Sequence, residues 1–259
     1  MLLKWHNKKI FRLILLVIFS FIIKASLKEI FFTNEYDLTE FLNNKSEEEI
    51  IIKFNNTKVE ISNSITICEL KSITFIGTSK EDSILNFKEL SHNLIFEFVD
   101  SIKFHNISIN GNISFKLIRN IIIEDVNLNG TIKTFETINP KIYDEIIKKY
   151  GKMDKDYYRN NWSLNVYINN FEYHAVTKEM DNCIELYGNT EINNSRFYGS
   201  PSCRNSLLKY YAEDLNSINI SNSHFDGAYS NNCISINNAY YSKFISCTFE
   251  KGRSDNIGG

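Results

Sequence analysis

Beyond residue 49 the apolar residues come in runs of four to six, rich in Ile, Val and Phe and broken by Asn, Ser, Asp and Gly. "EIIIKFNN" (residues 49–56), "VEISNSITI" (59–67) and "KSITFIGTS" (71–79) set the pattern. Such runs are too short for helices, and their β-branched residues suit strands, so the pattern predicts short strands joined by polar bends. Ahead of them, "FFTNEYDLTEFLNN" (31–44) predicts a strand and then a short amphipathic helix. Asp37 caps that helix, and Leu38, Phe41 and Leu42 share one side of it.

The punctuation repeats. "IKFHNISINGN" (102–112), "IIIEDVNLNGT" (121–131), "TEINNSRFYGS" (190–200), "INISNSHFDGA" (218–228) and "SKFISCTFEKG" (242–252) share one form. An apolar residue is followed by a polar bend, a second apolar residue and then Gly; the last copy has Lys251 inserted before its Gly. One apolar column is Phe104, Ile123, Ile192, Ile220 and Phe244. A second is Ile109, Leu128, Phe197, Phe225 and Phe249. Between them lie Asn106, Asp125, Asn194, Asn222 and Ser246 as a column of bends. A companion strand, with Asn in second place, recurs as "HNLIFEF", "GNISFKL", "DNCIELY", "RNSLLKY" and "NNCISIN". Successive units lie about 19 to 28 residues apart, which indicates a solenoid. A lone coil cannot recover the ordering entropy of its residues from its few inward side chains. Stacked coils share backbone hydrogen bonds and place like residues over like.

The opening "NEYDLTEFLNN…EEIIIKFNNTKVEISNSITICELKSITFIGTS" resembles the first coils of right-handed parallel β-helix proteins of the pectin-lyase-like superfamily. The closing "SCTFEKGRSDNIGG" is similar to repeats of polymorphic autotransported and surface β-helix proteins. The resemblance covers Ile30 to Phe135 and Asp181 to Gly259. It implies an all-β, right-handed parallel β-helix with an N-terminal capping helix. The N-T-D, D-D, G-H-G and R-I-K segments of polygalacturonases do not occur here in order, nor do the calcium-binding Asp clusters of pectate lyases; "HFDG" is a distant echo.

The period breaks between Thr137 and Met180. "NPKIYDEIIKKYGKM" predicts a helix after Pro140, and the following stretch is aromatic-rich, so a partly helical surface insertion is expected at 137–180. The expected organisation is a leader at 1–25, a cap at 26–49, coils at 50–136, the insertion, and further coils at 181–259. Asp255-Asn256-Ile257 matches Asp181-Asn182-Cys183 and Asn231-Asn232-Cys233, where new coils begin, so the expectation is that coils continue past Gly259.

Lys4, Lys8 and Lys9 precede an apolar run from Ile10 to Ile23, with Ala25 and Ser26 behind it. The run is short for a membrane span, which needs about 20 residues, and it predicts a cleaved secretory signal; the alternative is an uncleaved anchor, the chain's one expected membrane contact. Cleavage removes Lys4, Lys8, Lys9, Arg12 and Lys24 and no acid, moving the formal charge from −2 to −7. No Lys/Arg cluster remains, which argues against nucleic acid. A secreted chain permits disulfides among Cys68, Cys183, Cys203, Cys233 and Cys247. Two coil spacings separate Cys183 from Cys233, which is too far to bridge, while Cys203 can reach either; the pairing is open. No metal-finger spacing is present, and no cofactor is expected.

Outward residues of successive coils align Arg196 and Tyr198, His224 and Asp226, Thr248 and Glu250. Asp226 and Glu250, one coil apart, are the candidate acid and base, with His224 and Arg196 beside them. The competing reading is a solvated wall of loose ion pairs. Glu185 and Lys209 are expected to form a cross-strand pair flanked by Tyr187 and Tyr211. Tyr187, Tyr211, Tyr198 and Trp162 are the candidate carbohydrate contacts. Tyr157, Tyr158, Tyr167 and Tyr173 of the insertion form a binding patch or pack it onto the wall. Sequons stand at Asn44, Asn55, Asn106, Asn112, Asn129, Asn161, Asn193 and Asn219, with Asn161 the preferred glycosylation site. The favoured function is a secreted or cell-surface scaffold that binds extracellular polysaccharide or a surface protein without catalysis. The alternative is a polysaccharide lyase or hydrolase acting on pectin-like polymer.

Overall fold

The computed structural model describes residues 28–31, 49–89, 91–135, 148, 164–176, 180–212, 215–229 and 232–253. These residues form an all-β parallel solenoid in which every strand pairing is parallel. Each turn lays strands on three walls. Wall one holds Glu49–Phe54, residues 72–77, 101–105 and 120–124, Asn165–Asn169, Asn189–Asn193, Ser217–Ser221 and Tyr241–Ile245. Wall two holds Lys58–Ile61, Ile84–Phe87, residues 108–110 and 127–130, Glu172–Ala175, Arg196–Tyr198, His224–Asp226 and Thr248–Glu250. Wall three includes residues 65–70, 94–99, 132–133 and 184–187, the later part of Cys203–Tyr211, and Asn232–Asn237.

Alternation sends one side of each strand into the lumen, as in Glu49–Phe54, where half-buried and buried residues alternate. Stacking then places like on like. On wall one Ile52 pairs with Phe75 and Phe75 with Phe104, and further along Ile123, Ile168, Ile192, Ile220 and Phe244 succeed one another in register. On wall two Leu128, Tyr173, Phe197, Phe225 and Phe249 do the same. Phe197 and Phe225 stack with ring centroids 4.4 Å apart and planes 3° from parallel. The expected bend column is also in place: Asn106, Asp125, Asn194, Asn222 and Ser246 all have left-handed backbone, with φ between 47° and 54°. The closing Gly of the repeat has a steric role, because a Cβ at Gly130 would lie 1.8 Å from the Gly111 carbonyl oxygen.

The expected insertion at 137–180 needs correction at its end. Asn165–Asn169 and Glu172–Ala175 are strands of walls one and two, held between neighbouring turns on both sides, and Met180–Tyr187 begins wall three of the same turn. Tyr173, expected on a surface excursion, is fully buried between Leu128 and Phe197, and its hydroxyl donates to the Gly130 carbonyl at 2.7 Å. The reason is that "YINNFEYHA" (167–175) is another copy of the repeat, with Ala175 where the others have Gly. Residues 136–147 and 149–163 lie outside the described residues, as do the leader and the expected capping helix. Lys28–Phe31 is a strand that pairs in parallel with Glu49–Phe54 and adds a rung ahead of the first full turn.

The open question of the cysteines closes on Cys183–Cys203, with Cα atoms 5.3 Å apart. Cys233 and Cys247 are free thiols. Ser206 lies opposite Asn182 and Asn232, one position before Cys183 and Cys233, so the residue stacked between those cysteines is Leu207.

Candidate functional site

Wall two carries the charged candidates. Register places Glu172, Arg196, His224 and Thr248 in one outward column, and His174, Tyr198, Asp226 and Glu250 in the next. Arg196, Tyr198, His224, Asp226 and Glu250 therefore share one face, and Asp226 is directly opposite Glu250 on the adjacent strand. The two carboxylates share one cation: Lys251 Nζ lies 2.5 Å from Asp226 Oδ2 and 3.4 Å from Glu250 Oε1, and His224 Nε2 lies 3.1 Å from the same Glu250 oxygen. The wall carries ion pairs, as in the competing reading, but Lys251 is the partner of Asp226, and Arg196 has no ion-pair partner among the described residues.

Partial burial pushes the Asp226 carboxyl up. Hydrogen bonds from Lys251 and from the Ala228 N–H, with the charges of Lys251 and His224, outweigh it and hold the group below the usual carboxylate range. A glycosidase acid needs the opposite displacement, toward neutrality. The geometry of this face is that of an ion network laid over aromatic rings. His174 stacks on Tyr198 with centroids 4.8 Å apart, and Tyr198 meets His224 edge to face at 6.1 Å.

The tyrosine candidates divide between walls. Tyr187 and Tyr211 stand on wall three, centroids 4.7 Å apart and planes 10° from parallel, away from Tyr198 on wall two. Glu185 does not pair with Lys209, although the two are in register. Lys133, one turn earlier, takes Glu185 at 3.0 Å, and Lys209 Nζ sits 4.7 Å from the centre of the Tyr211 ring. The cation is better placed over the electron-rich ring face than stretched toward a carboxylate already paired. Trp162 and Asn161 lie outside the described residues.

Wall one holds a feature that sequence reading missed. A shallow groove of about 510 Å³ runs across wall one over five successive turns, from Ser101 to Asn219. One edge is an amide ladder: Asn165 Nδ2 donates to Asn120 Oδ1 at 3.3 Å, Asn189 Nδ2 to Asn165 Oδ1 at 3.5 Å, and the Ser217 N–H to Asn189 Oδ1 at 3.3 Å. Its floor is the next outward column, Ile122, Tyr167, Glu191 and Asn219. The groove depends on residues 165–169 being a strand, so reading them as insertion hid it. The recurrent "INN" of Ile168–Asn170 and Ile192–Asn194 was the signal available.

Among the described residues no group of three or more His, Cys, Asp and Glu is placed to hold a metal ion. No helix among them is long and apolar enough to cross a membrane. Of the free thiols, Cys233 is buried, which pushes its pKa up, and its Sγ lies 3.4 Å from the Glu250 carbonyl oxygen; a protonated, enclosed thiol is a poor nucleophile. No protein-family model matches the chain, and no curated protein or solved structure matches it either.

Proposed function

We propose that this chain is a secreted or cell-surface scaffold that binds an extended carbohydrate along its outer wall, and that its solenoid is a right-handed β-helix of the pectin-lyase-like kind. The handedness follows the general rule for crossovers between parallel strands. Export is supported by the N-terminal apolar run and by the Cys183–Cys203 disulfide, a bond that persists in oxidising compartments. The observation that carries the binding reading is the groove on wall one. A tyrosine ring, a ladder of fixed amides and one carboxylate offer a sugar both a stacking face and directional hydrogen bonds.

Glycan-array binding tests it. The expected outcome is retention of an extended polysaccharide without turnover, lost in Tyr167→Ala and Asn189→Ala and kept in Asp226→Ala. Unchanged binding in both groove variants would sink the reading.

The second reading, a polysaccharide lyase or hydrolase, draws on the direct opposition of Asp226 and Glu250. It requires new reducing ends or unsaturated product from polygalacturonate or other plant polysaccharides, abolished by Asp226→Ala or Glu250→Ala.

A further inference from the structure

The chain carries eight sequons, of which six lie in the described residues, and the fold treats those six very differently. Asn112 is 9% exposed; its Oδ1 accepts from Thr131 Oγ1 at 2.9 Å and its Nδ2 donates to the His92 carbonyl at 3.5 Å. Asn129 Nδ2 donates to Asn110 Oδ1 at 2.7 Å, continuing a ladder that runs back through Asn86 to Glu60. Asn193 Nδ2 donates to Glu191 Oε1 at 2.7 Å, and its Oδ1 accepts from Ser221 Oγ at 2.5 Å. Asn106 is half-buried in the left-handed bend column, between the turns that carry Gly77 and Asp125. A sugar on any of these amide nitrogens removes a donor that the stack uses or forces adjacent turns apart.

Asn55 and Asn219 differ. Both are exposed, and neither side-chain amide is engaged by another described residue. Asn55 lies in the turn after Glu49–Phe54, where Thr57 Oγ1 donates to the Asn55 carbonyl at 2.8 Å and leaves the amide free. Asn219 is the central outward residue of Ser217–Ser221, between Glu191 and Lys243 in register, and Glu191 is already taken by Asn193.

We infer that Asn55 and Asn219 are N-glycosylation sites of this chain, and that the sequons at Asn106, Asn112, Asn129 and Asn193 stay unmodified in the folded protein. In the transfer the amide nitrogen bonds to the anomeric carbon of a lipid-diphosphate-linked oligosaccharide. The bond from that carbon to the diphosphate oxygen breaks, the nitrogen loses one proton, and the lipid diphosphate leaves. The inference rests on the proposed export only for entry into the compartment where this donor and its transferase occur. Asn219 sits on the last turn lining the wall-one groove, so a glycan there closes that end and leaves Ile122 and Tyr167 open.

The test expresses the full chain in a eukaryotic secretory host behind a heterologous signal peptide, so that failure of the native leader is read separately. Enzymatic deglycosylation in ¹⁸O-water followed by peptide mass spectrometry identifies the modified asparagines, both in secreted protein and in the disulfide-intact microsomal pool. The expected result is label at Asn55 and Asn219 and none at Asn106, Asn112, Asn129 or Asn193. Asn55→Gln and Asn219→Gln each remove one glycan step on a gel, and Asn129→Gln removes none. Unlabelled Asn55 and Asn219 in either pool, or comparable label at Asn112, Asn129 or Asn193, overturns the inference.

Discussion

At the corner between wall one and wall two, left-handed backbone is taken up by Asn106, Asp125, Asn170, Asn194, Asn222 and Ser246. At the corner between wall three and wall one it is taken up by Glu69, Phe98 and Leu117, at φ of 58°, 61° and 50°, and in the last described turn by Asn238, at 58°. The steric problem is the same, and the residues are not. Asn and Asp tolerate this conformation because a short polar side chain can bond locally, whereas other side chains cost roughly 1–2 kcal/mol there. At the second corner the cost is offset by the adjoining residue: Leu70, Val99 and Ile118, each one position further along the chain, are buried in the lumen. The first corner is built from local preference; the second, in the turns of Glu69, Phe98 and Leu117, is built from burial. A corner made by burial can host any residue at the bend itself, provided the next one is apolar and inward.

The contrast can be broken most strongly from the buried side. Ile118→Ala removes the apolar residue behind the Leu117 bend, and urea unfolding should show a loss of about 2–4 kcal/mol. The corner between walls two and three carries a third solution, the Cys183–Cys203 bond, which closes a separation of 20 residues. Replacing both cysteines with alanine is expected to cost about 2–4 kcal/mol by the same measurement, and reductant should reproduce the loss in the native protein and change nothing in the variant. Asn194→Val attacks the polar corner, putting a β-branched residue in left-handed backbone; a loss of about 1–2 kcal/mol is expected. Glu69→Asn runs the other way. An exposed residue moves toward the local preference of the first corner, and a gain of up to about 1 kcal/mol should appear as a raised unfolding midpoint. No gain there would show that the burial-driven corner carries no strain to relieve.

The smallest effect is electrostatic. Because the folded Asp226 carboxyl is held below its ordinary value of 3.8, its contribution is present above that pH and is lost as pH falls through the lower folded value. Asp226→Asn should therefore be less stable than the native chain near neutrality, with the gap closing in strong acid. A gap independent of pH would mean that the Lys251 contact contributes nothing to stability.

Much of the fold was legible along the chain. The Asn, Asp and Ser bends and the two apolar columns flanking them lie where the repeat put them, because a left-handed bend and an alternating strand both leave a local residue signature. The turn at 165–187 was missed for a small reason: Ala175 stands in place of Gly, and the preceding aromatic stretch masked the period. Missing that turn put Tyr173 outside when it belongs in the core, and it concealed the groove. The wall-two face was assembled correctly from register arithmetic, but its pairing was not. Lys251 reaches back one turn to Asp226, and Lys133 reaches forward to Glu185.

Local chemistry is written in the residues themselves: strand period, bend positions, and the need for many stacked copies, since one coil cannot bury enough to order itself. Which amide holds which neighbour, which cysteine meets which, and which sequon stays open to solvent depend on the residue one turn above or below. Backbone stacking brings positions 19 to 53 residues apart within hydrogen-bonding distance, and no local pattern encodes which of those long side chains will reach its neighbour first.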